Sequence, residues 1–241
     1  EAIIDNREQI DSKLLYDVEK NNIKIFKGFT IVDTSGYKRI NKISIMQLSK
    51  DGQKVIGSKI NLSCDCLGIS GGWTPAVHLF TQSGGKLTFR EEDQVFIPNT
   101  YPSTQLSIGA CNGDLTLDEI FTNVPKSLKE FLNIKNTDYE NIEILSSANK
   151  SKRNIWLLPS DKILGKTKPF VDYQNDATAK DIKLALREGF RSIEHVKRYT
   201  TTGMGTDQGK LGNMHALGII SETAGSKMGE LGTTTFRPPY T

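Results

Sequence analysis

Residues 170–213 read FVDYQNDATAKDIKLALREGFRSIEHVKRYTTTGMGTDQGKLGN, and the fold of the chain's last third turns on them. Thr178 with Asp181 three residues later is the pattern of an N-cap followed by an acid in the first turn. Ile182, Ala185 and Leu186 then fall at i, i+3 and i+4, one apolar helical face. Gly189 suits the left-handed residue that stops such a helix. Ser192 opens a second helix with Ile193 and Val196 inward, and with Glu194, His195, Lys197 and Arg198 mainly outward. A glycine-rich loop follows, and a third helix is expected over residues 211–224. Thr202, Gly203, Met204, Gly205, Thr206, Gln208 and Lys210 are its candidate binding residues. Small residues let backbone N–H groups approach a phosphate, and a helix N-terminus adds the positive end of a dipole. The same glycines also suit a plain tight turn. Lys210 has two candidate partners, the neighbouring Asp207 and a cofactor phosphate.

The stretch resembles the bacterioferritin-associated-ferredoxin-like module of amino-acid-oxidising flavoproteins. That module carries Cys-x-Cys before its first helix and Cys-x4-Cys around a TxxGMGxCQG loop, four thiolates for a [2Fe–2S] cluster. Here the four positions read Asp172, Gln174, Asp207 and Gly212. Hard oxygens and a glycine do not replace soft thiolates, so the expectation is no cluster. A cysteine-free version of this module resembles the α subunit of heterotetrameric sarcosine oxidases. So do the flanks GGWTPAVHLF, EGFRSIEHVKRYTTTGMGTDQGK and TTTFRPPYT. The resemblance runs through nearly the whole chain and thins over residues 121–153.

Composition narrows the class. The 241 residues suffice for one large domain or two smaller ones. A net charge of +3, with no basic stripe interleaved with aromatics, points away from nucleic acid and from anionic membrane. No apolar run approaches the ~20 residues of a membrane span, and the first residues do not read as a signal peptide. Cys64, Cys66 and Cys111 form no disulfide framework. A reduced, soluble, cytoplasmic protein is expected.

Residues 1–5, EAIID, read as a strand. Asp5 at its end is either a strand-end polar residue or the acid that meets a ribose in a dinucleotide fold. A helix is expected over 7–20, with Ile10, Leu14, Leu15 and Val18 on one face, and a strand over 23–32. Segments 39–48 and 53–62 alternate around Ser49-Lys50-Asp51-Gly52, a hairpin signal. A short buried strand is expected at 65–70. The fold class expected is α/β: part of a two-dinucleotide-binding-domain flavoprotein fold with an antiparallel β insert, followed by a small all-α module. That order is similar to the glutathione and thioredoxin reductases.

Gly71, Gly72 and Trp73 follow, where a ligand would sit beyond a strand's carboxyl end. Pro75 is expected to open a helix over 76–81, with His78 a packed or capping histidine. Strands are expected at 86–89, 95–98 and 105–108. The last leads through Gly109, Ala110, Cys111, Asn112 and Gly113 into a helix over 115–121, a seat for a pyrophosphate. Cys111 reads as a small buried residue. The expected domains are a dinucleotide-binding region at 1–122, a polar excursion and linker at 123–169 with one helix near 127–132, and the helical module at 170–232. Residues 233–241 read as a linker toward a folate-binding domain beyond this sequence.

The resemblance implies a share in an assembly that demethylates sarcosine to glycine, passes the one-carbon unit to tetrahydrofolate and forms hydrogen peroxide. It implies NAD on Gly71, Gly72, Trp73, Gly109, Ala110, Asn112 and Gly113. It also implies FMN at the interface with a β subunit, FAD and tetrahydrofolate elsewhere, and small γ and δ subunits. No catalytic residue and no metal ligand is assigned to this chain. The alternatives are a non-catalytic assembly module, and the α subunit of a related N-methyl amino acid or proline oxidase. The lost thiolates carry a direct prediction. Protein expressed with excess iron will contain no stoichiometric iron or acid-labile sulfide, and stoichiometric amounts of both would overturn the reading.

Overall fold

The computed structural model describes residues 1–10, 12–102, 104–134, 154–162, 164 and 166–239. It resolves into two compact units, Glu1–Gly71 with Asn149–Lys168, and Gly72–Ala148 with Pro169–Thr241. The expected boundary at 122/123 lies inside a helix of the second unit. Among the described residues, no helix is long and apolar enough to cross a membrane.

The first unit opens with a β–α–β arrangement. Strand β1 (Ala2–Asp5) pairs in parallel with β2 (Lys24–Lys27), and helix α1 (Ser12–Lys20) connects them. The helix begins later than expected. Asp5 instead holds Arg7 through both side chains, at 2.6 Å, and accepts its backbone N–H at 2.9 Å. The carboxylate therefore ends a strand and pairs with its own chain.

The single strand expected over 23–32 is two strands. Gly28 interrupts it at φ +69°, a conformation favouring glycine, and the chain passes into β3 (Phe29–Gly36) of a different sheet. There β3, β4 (Ile40–Leu48) and β5 (Val55–Ser63) form an antiparallel meander in the order β3-β4-β5. Phe26, Ile43 and Ile45 are its buried centre, with Ile4, Phe29, Ile31 and Ile60 packed around them. Lys162 bonds Asp33 at 2.5 Å and Lys59 bonds Asp161 at 2.8 Å, tying residues 161–162 to this sheet. The strand expected at 65–70 does not form. Cys64 is the last residue bonded to the ladder, and Ile69 is 77% exposed.

In the second unit, helix α2 (His78–Gln82) precedes an antiparallel hairpin, β6 (Lys86–Arg90) and β7 (Val95–Thr100). The helix starts at His78 rather than at 76, and the Val77 N–H turns back to the Pro75 carbonyl. Residues 105–108 pair with no strand among the described residues, and the Gln105 N–H turns back to the Pro102 carbonyl. A single 3-10 turn, Gly109–Asn112, leads to α3 (Leu117–Leu132). This one helix replaces the two expected at 115–121 and 127–132, and it runs through Pro125. The remaining expectations for 135–153 lie outside the described residues.

The terminal module is a two-strand hairpin, β8 (Phe170–Asp172) and β9 (Ala177–Thr178), followed by α4 (Ala179–Arg187), α5 (Ile193–Thr200), α6 (Asn213–Ala224) and α7 (Met228–Leu231). The hairpin and α7 have no counterpart in the expectations, and α6 starts two residues later than expected. Thr178 caps α4 reciprocally with Asp181: its N–H donates to the Asp181 carboxylate at 2.8 Å, and its Oγ1 accepts the Asp181 N–H at 3.4 Å. Ile182, Ala185 and Leu186 are buried, as are Ile193 and Val196 on α5 and Leu217, Ile219 and Ile220 on α6.

The cap and the core contribute unequally. Thr178→Ala is expected to cost about 1 kcal/mol and Ile182→Ala, at a fully buried site, about 2–5 kcal/mol. Urea titration of the two variants beside the parent gives the order, and equal costs would contradict it.

Candidate functional site

The four positions that carry thiolates in the resembled module are tied together here by hydrogen bonds and backbone packing. Asp172, 6% exposed, accepts the Gly203 N–H at 2.6 Å and those of Gln174 and Asn175 at 2.8 and 3.0 Å. Burial pushes its carboxyl up, but the Gly203, Asn175 and Gln174 donors outweigh that and hold it below the usual carboxylate range. Gln174 donates to Thr206 Oγ1 at 2.7 Å and accepts the Asp207 N–H at 3.2 Å. Asp207 in turn accepts the N–H groups of Gly209 and Leu211 at 3.1 and 3.3 Å. At Gly212 a Cβ would sit 2.5 Å from the Val171 carbonyl oxygen. Backbone has closed over that fourth position.

This network turns the amides of the glycine loop inward. Met204, Gln208 and Lys210 donate to the carbonyls of Thr201, Gly205 and Asp207. The glycines are used by the chain itself as well. A Cβ on Gly203 or Gly209 would run into the Asn213 side chain, and one on Gly205 into Gln174. Thr202 and Gly203 are buried, whereas Met204 and Lys210 are exposed. An anion at this loop therefore meets side chains rather than a cradle of amides.

One small cavity, about 40 Å³, gathers those side chains. Gln208, Gly209 and Lys210 line it from the loop, Asn213 and Met214 from α6, and Thr74, Pro75, Ala76 and His78 from the approach to α2. Phe236 closes it. The tail is strapped down here: Phe236 O accepts Thr81 Oγ1 at 3.0 Å and Gln82 Nε2 at 2.9 Å, and Asn213 Nδ2 donates to Thr234 Oγ1 at 3.1 Å. The Phe236 ring meets the His78 ring edge-on, centroids 5.7 Å apart. Among the described residues no carboxylate lies within ion-pair distance of Lys210, because Asp207 is turned to the amides of Gly209 and Leu211. The local partner weighed for Lys210 is thus absent there. Burial holds His78 below the usual histidine value, and the nearby Lys210 charge adds to this.

The sequence brought forward Gln208 and Lys210 of this cavity. It missed Thr74, Asn213 and Phe236 as lining residues, and read His78 as packing. Trp73, beside the cavity's first wall, is 86% exposed, and Gly71 and Gly72 are exposed too.

The loop at 109–113 is arranged differently. Gly109, at φ +65°, and Ala110 accept the N–H groups of Asp114 and Gly113, and Asn112 accepts Tyr101 Oη at 2.8 Å. A Cβ on Gly113 would meet Ile97 and Arg90, and Arg90 donates to the Gly113 carbonyl at 2.5 Å. The amides ahead of α3, Leu115 and Thr116, donate to the Glu119 carboxylate at 3.0 and 3.1 Å. The helix start already carries an anion of its own. Among the described residues no group of three His, Cys, Asp or Glu side chains is placed to hold a metal ion.

Residues 166–241 match the family described as the sarcosine oxidase A3 domain. The chain is similar to sarcosine oxidase subunit alpha of Rhizobium meliloti (strain 1021), 32% identical over 228 residues, covering 87% of this chain and 22% of the relative. It is 30% identical to the same subunit of Corynebacterium sp. (strain P-1), covering all of this chain and 25% of that one. The chain thus spans about a quarter of the length of these relatives. Among solved structures, L-proline dehydrogenase from P. horikoshii matches with a TM-score of 0.55 and 15% identity, over 99% of this chain and 47% of its own. That likeness shows the fold, a mixed α/β arrangement, as the order of elements led us to expect.

The Asp172 network carries a pH prediction. A lowered folded-state value means that the carboxylate stabilises the fold above its unfolded value near pH 4. That contribution is lost as pH falls through the lower folded value. Asp172→Asn is expected to cost about 2 kcal/mol at pH 7, with the gap to the parent narrowing below pH 4. Urea titrations at pH 7 and pH 3 read it; an equal gap at both would contradict the assignment.

Proposed function

We propose that this chain is part of the α subunit of a sarcosine-oxidising assembly, because residues 166–241 match the sarcosine oxidase A3 domain and the chain aligns along its length with sarcosine oxidase α subunits. In this reading the whole enzyme converts sarcosine to glycine, with the methyl carbon passed to tetrahydrofolate and O₂ reduced to hydrogen peroxide. Substrate oxidation belongs to an FAD on the β subunit, and γ and δ subunits complete the assembly. The present chain holds cofactors, and it supplies neither nucleophile nor general base.

The observation that carries the cofactor assignment is Lys210, without a carboxylate partner among the described residues, on a cavity with His78, Asn213 and Thr74. A phosphate monoester suits such a wall, since Lys presents a compact charge and the neutral groups add donors. A cavity of about 40 Å³ admits a phosphate-sized group and not a three-ring flavin. We therefore assign the FMN phosphate to the cavity and its ring to the outside, beside the exposed Trp73 and Met204. When bound, FMN supplies electron transfer; these residues hold and orient it. NAD binding on the 71–73 and 109–113 loops rests on the resemblance alone.

A second reading has an observation of its own. The inward-turned amides and self-packed glycines of the 203–210 loop are what a pure assembly module requires, one that joins subunits and binds nothing. Lys210→Met in the assembled complex separates the two. With phosphate as the partner, FMN affinity falls roughly ten- to a hundredfold, the loss of a charge-assisted bond of about 1.5–3 kcal/mol. Stability of the complex changes by less than about 0.5 kcal/mol, as for an exposed side chain. Full FMN occupancy in the variant would leave the assembly reading standing.

A further inference from the structure

We propose that His78 is a second anion-binding residue of this cavity, taking a proton from solvent as a phosphate-class dianion enters between it and Lys210. The proposal rests on the phosphate assignment above and goes beyond it, since neither the α2 segment nor its histidine is part of the glycine loop. His78 and Lys210 line one cavity although 132 residues separate them in sequence. The Phe236 ring fixes the imidazole plane. Among the described residues no group hydrogen-bonds to either imidazole nitrogen, so both remain available to a ligand.

The surroundings decide the sign of the coupling. On α2 itself, HLFTQ, there is no other charge, and residues 72–77 carry none. On the glycine loop Lys210 faces His78, while Asp207 is bound to the amides of Gly209 and Leu211. On α6 the cavity is met by the neutral Asn213 and Met214; His215 is half-buried, with Nδ1 3.3 Å from the Leu211 carbonyl oxygen. On the tail, Arg237 follows Phe236, and Glu194 of α5 reaches the tail only at the Thr235 N–H. On β6, packed against α2, Arg90 is committed to Asp93 and Gly113, leaving Lys86 as a further positive charge.

The cavity is therefore a desolvated, net positive site that favours the neutral imidazole. A dianion brings twice the charge of Lys210 with the opposite sign and reverses that field. The imidazolium that forms donates to a phosphate oxygen, and the proton is supplied by solvent. Two sources share this ligand chemistry, the FMN phosphate and free inorganic phosphate.

The test uses the assembled complex produced without its FMN, titrated calorimetrically with FMN and, separately, with inorganic phosphate. Running each titration at pH 7.5 in buffers of different ionisation enthalpy counts protons taken up. FMN is expected to draw about one proton more in the parent than in His78→Gln. The variant is expected to bind about tenfold more weakly, with an unchanged melting temperature. His78→Phe, which keeps an aromatic ring against Phe236, is expected to behave the same way and guards against a folding effect. FMN binding that depends on Lys210 but takes up equal protons in parent and His78→Gln would overturn the histidine proposal and leave the phosphate assignment intact. Proton-coupled binding of inorganic phosphate that FMN does not compete with would sustain the histidine site and overturn the FMN assignment. Binding of both probes unaffected by either residue would overturn both.

Discussion

One buried carboxylate holds the candidate site in shape. Asp172 sits at the end of β8 with three backbone N–H groups converging on it, and the shortest bond, to Gly203, spans 31 positions in sequence. Burying a carboxylate is costly unless donors replace its water, and here they do. The alternative, a loop of this glycine content with no anchor, would carry a large conformational entropy and no defined position for Lys210. Everything downstream inherits its placement from this point, including the start of α6, the Asn213 side chain and the strapped tail.

The arrangement also shows how oxygen and amide groups join two loops that thiolates join in the module this stretch resembles. In the family frame four thiolates and two irons would bridge the turn after β8 to the loop before α6. Here Asp172 and Gln174 reach directly across to Gly203, Thr206 and Asp207, and Gly212 lets the Val171 carbonyl close on the backbone. Oxygen and amide groups make shorter bridges than a metal cluster, so the two loops lie against each other. The glycines then serve close packing around Asn213 and Gln174. The Lys210 side chain at the rim is what remains for a ligand.

In α4 the signals were legible because their determinants lay within about one turn of chain. The Thr178–Asp181 box, the apolar face of Ile182, Ala185 and Leu186, and Gly189 at φ +97° were readable because each depends on neighbours three to five residues away. Strands were less readable. Residues 65–70 and 105–108 have strand-like composition, but a strand exists only where a second one offers its hydrogen bonds, and none of the described residues does. Conversely, Gly28 divides what reads as one apolar run, since a left-handed glycine leaves no mark on apolar periodicity.

By itself the sequence determined the helical module, its caps, the absence of soft ligands and the family likeness. All of these reside in residue type and short spacing. The tertiary structure alone decided what the glycines face and where Asp207 points, because those depend on which groups approach through space. It also decided that His78, Lys210 and Phe236 share one cavity. Hydrogen-bond donors are assigned by proximity in three dimensions: the amides that the sequence offered to a phosphate were claimed by Asp172, Gln174 and Asp207 first.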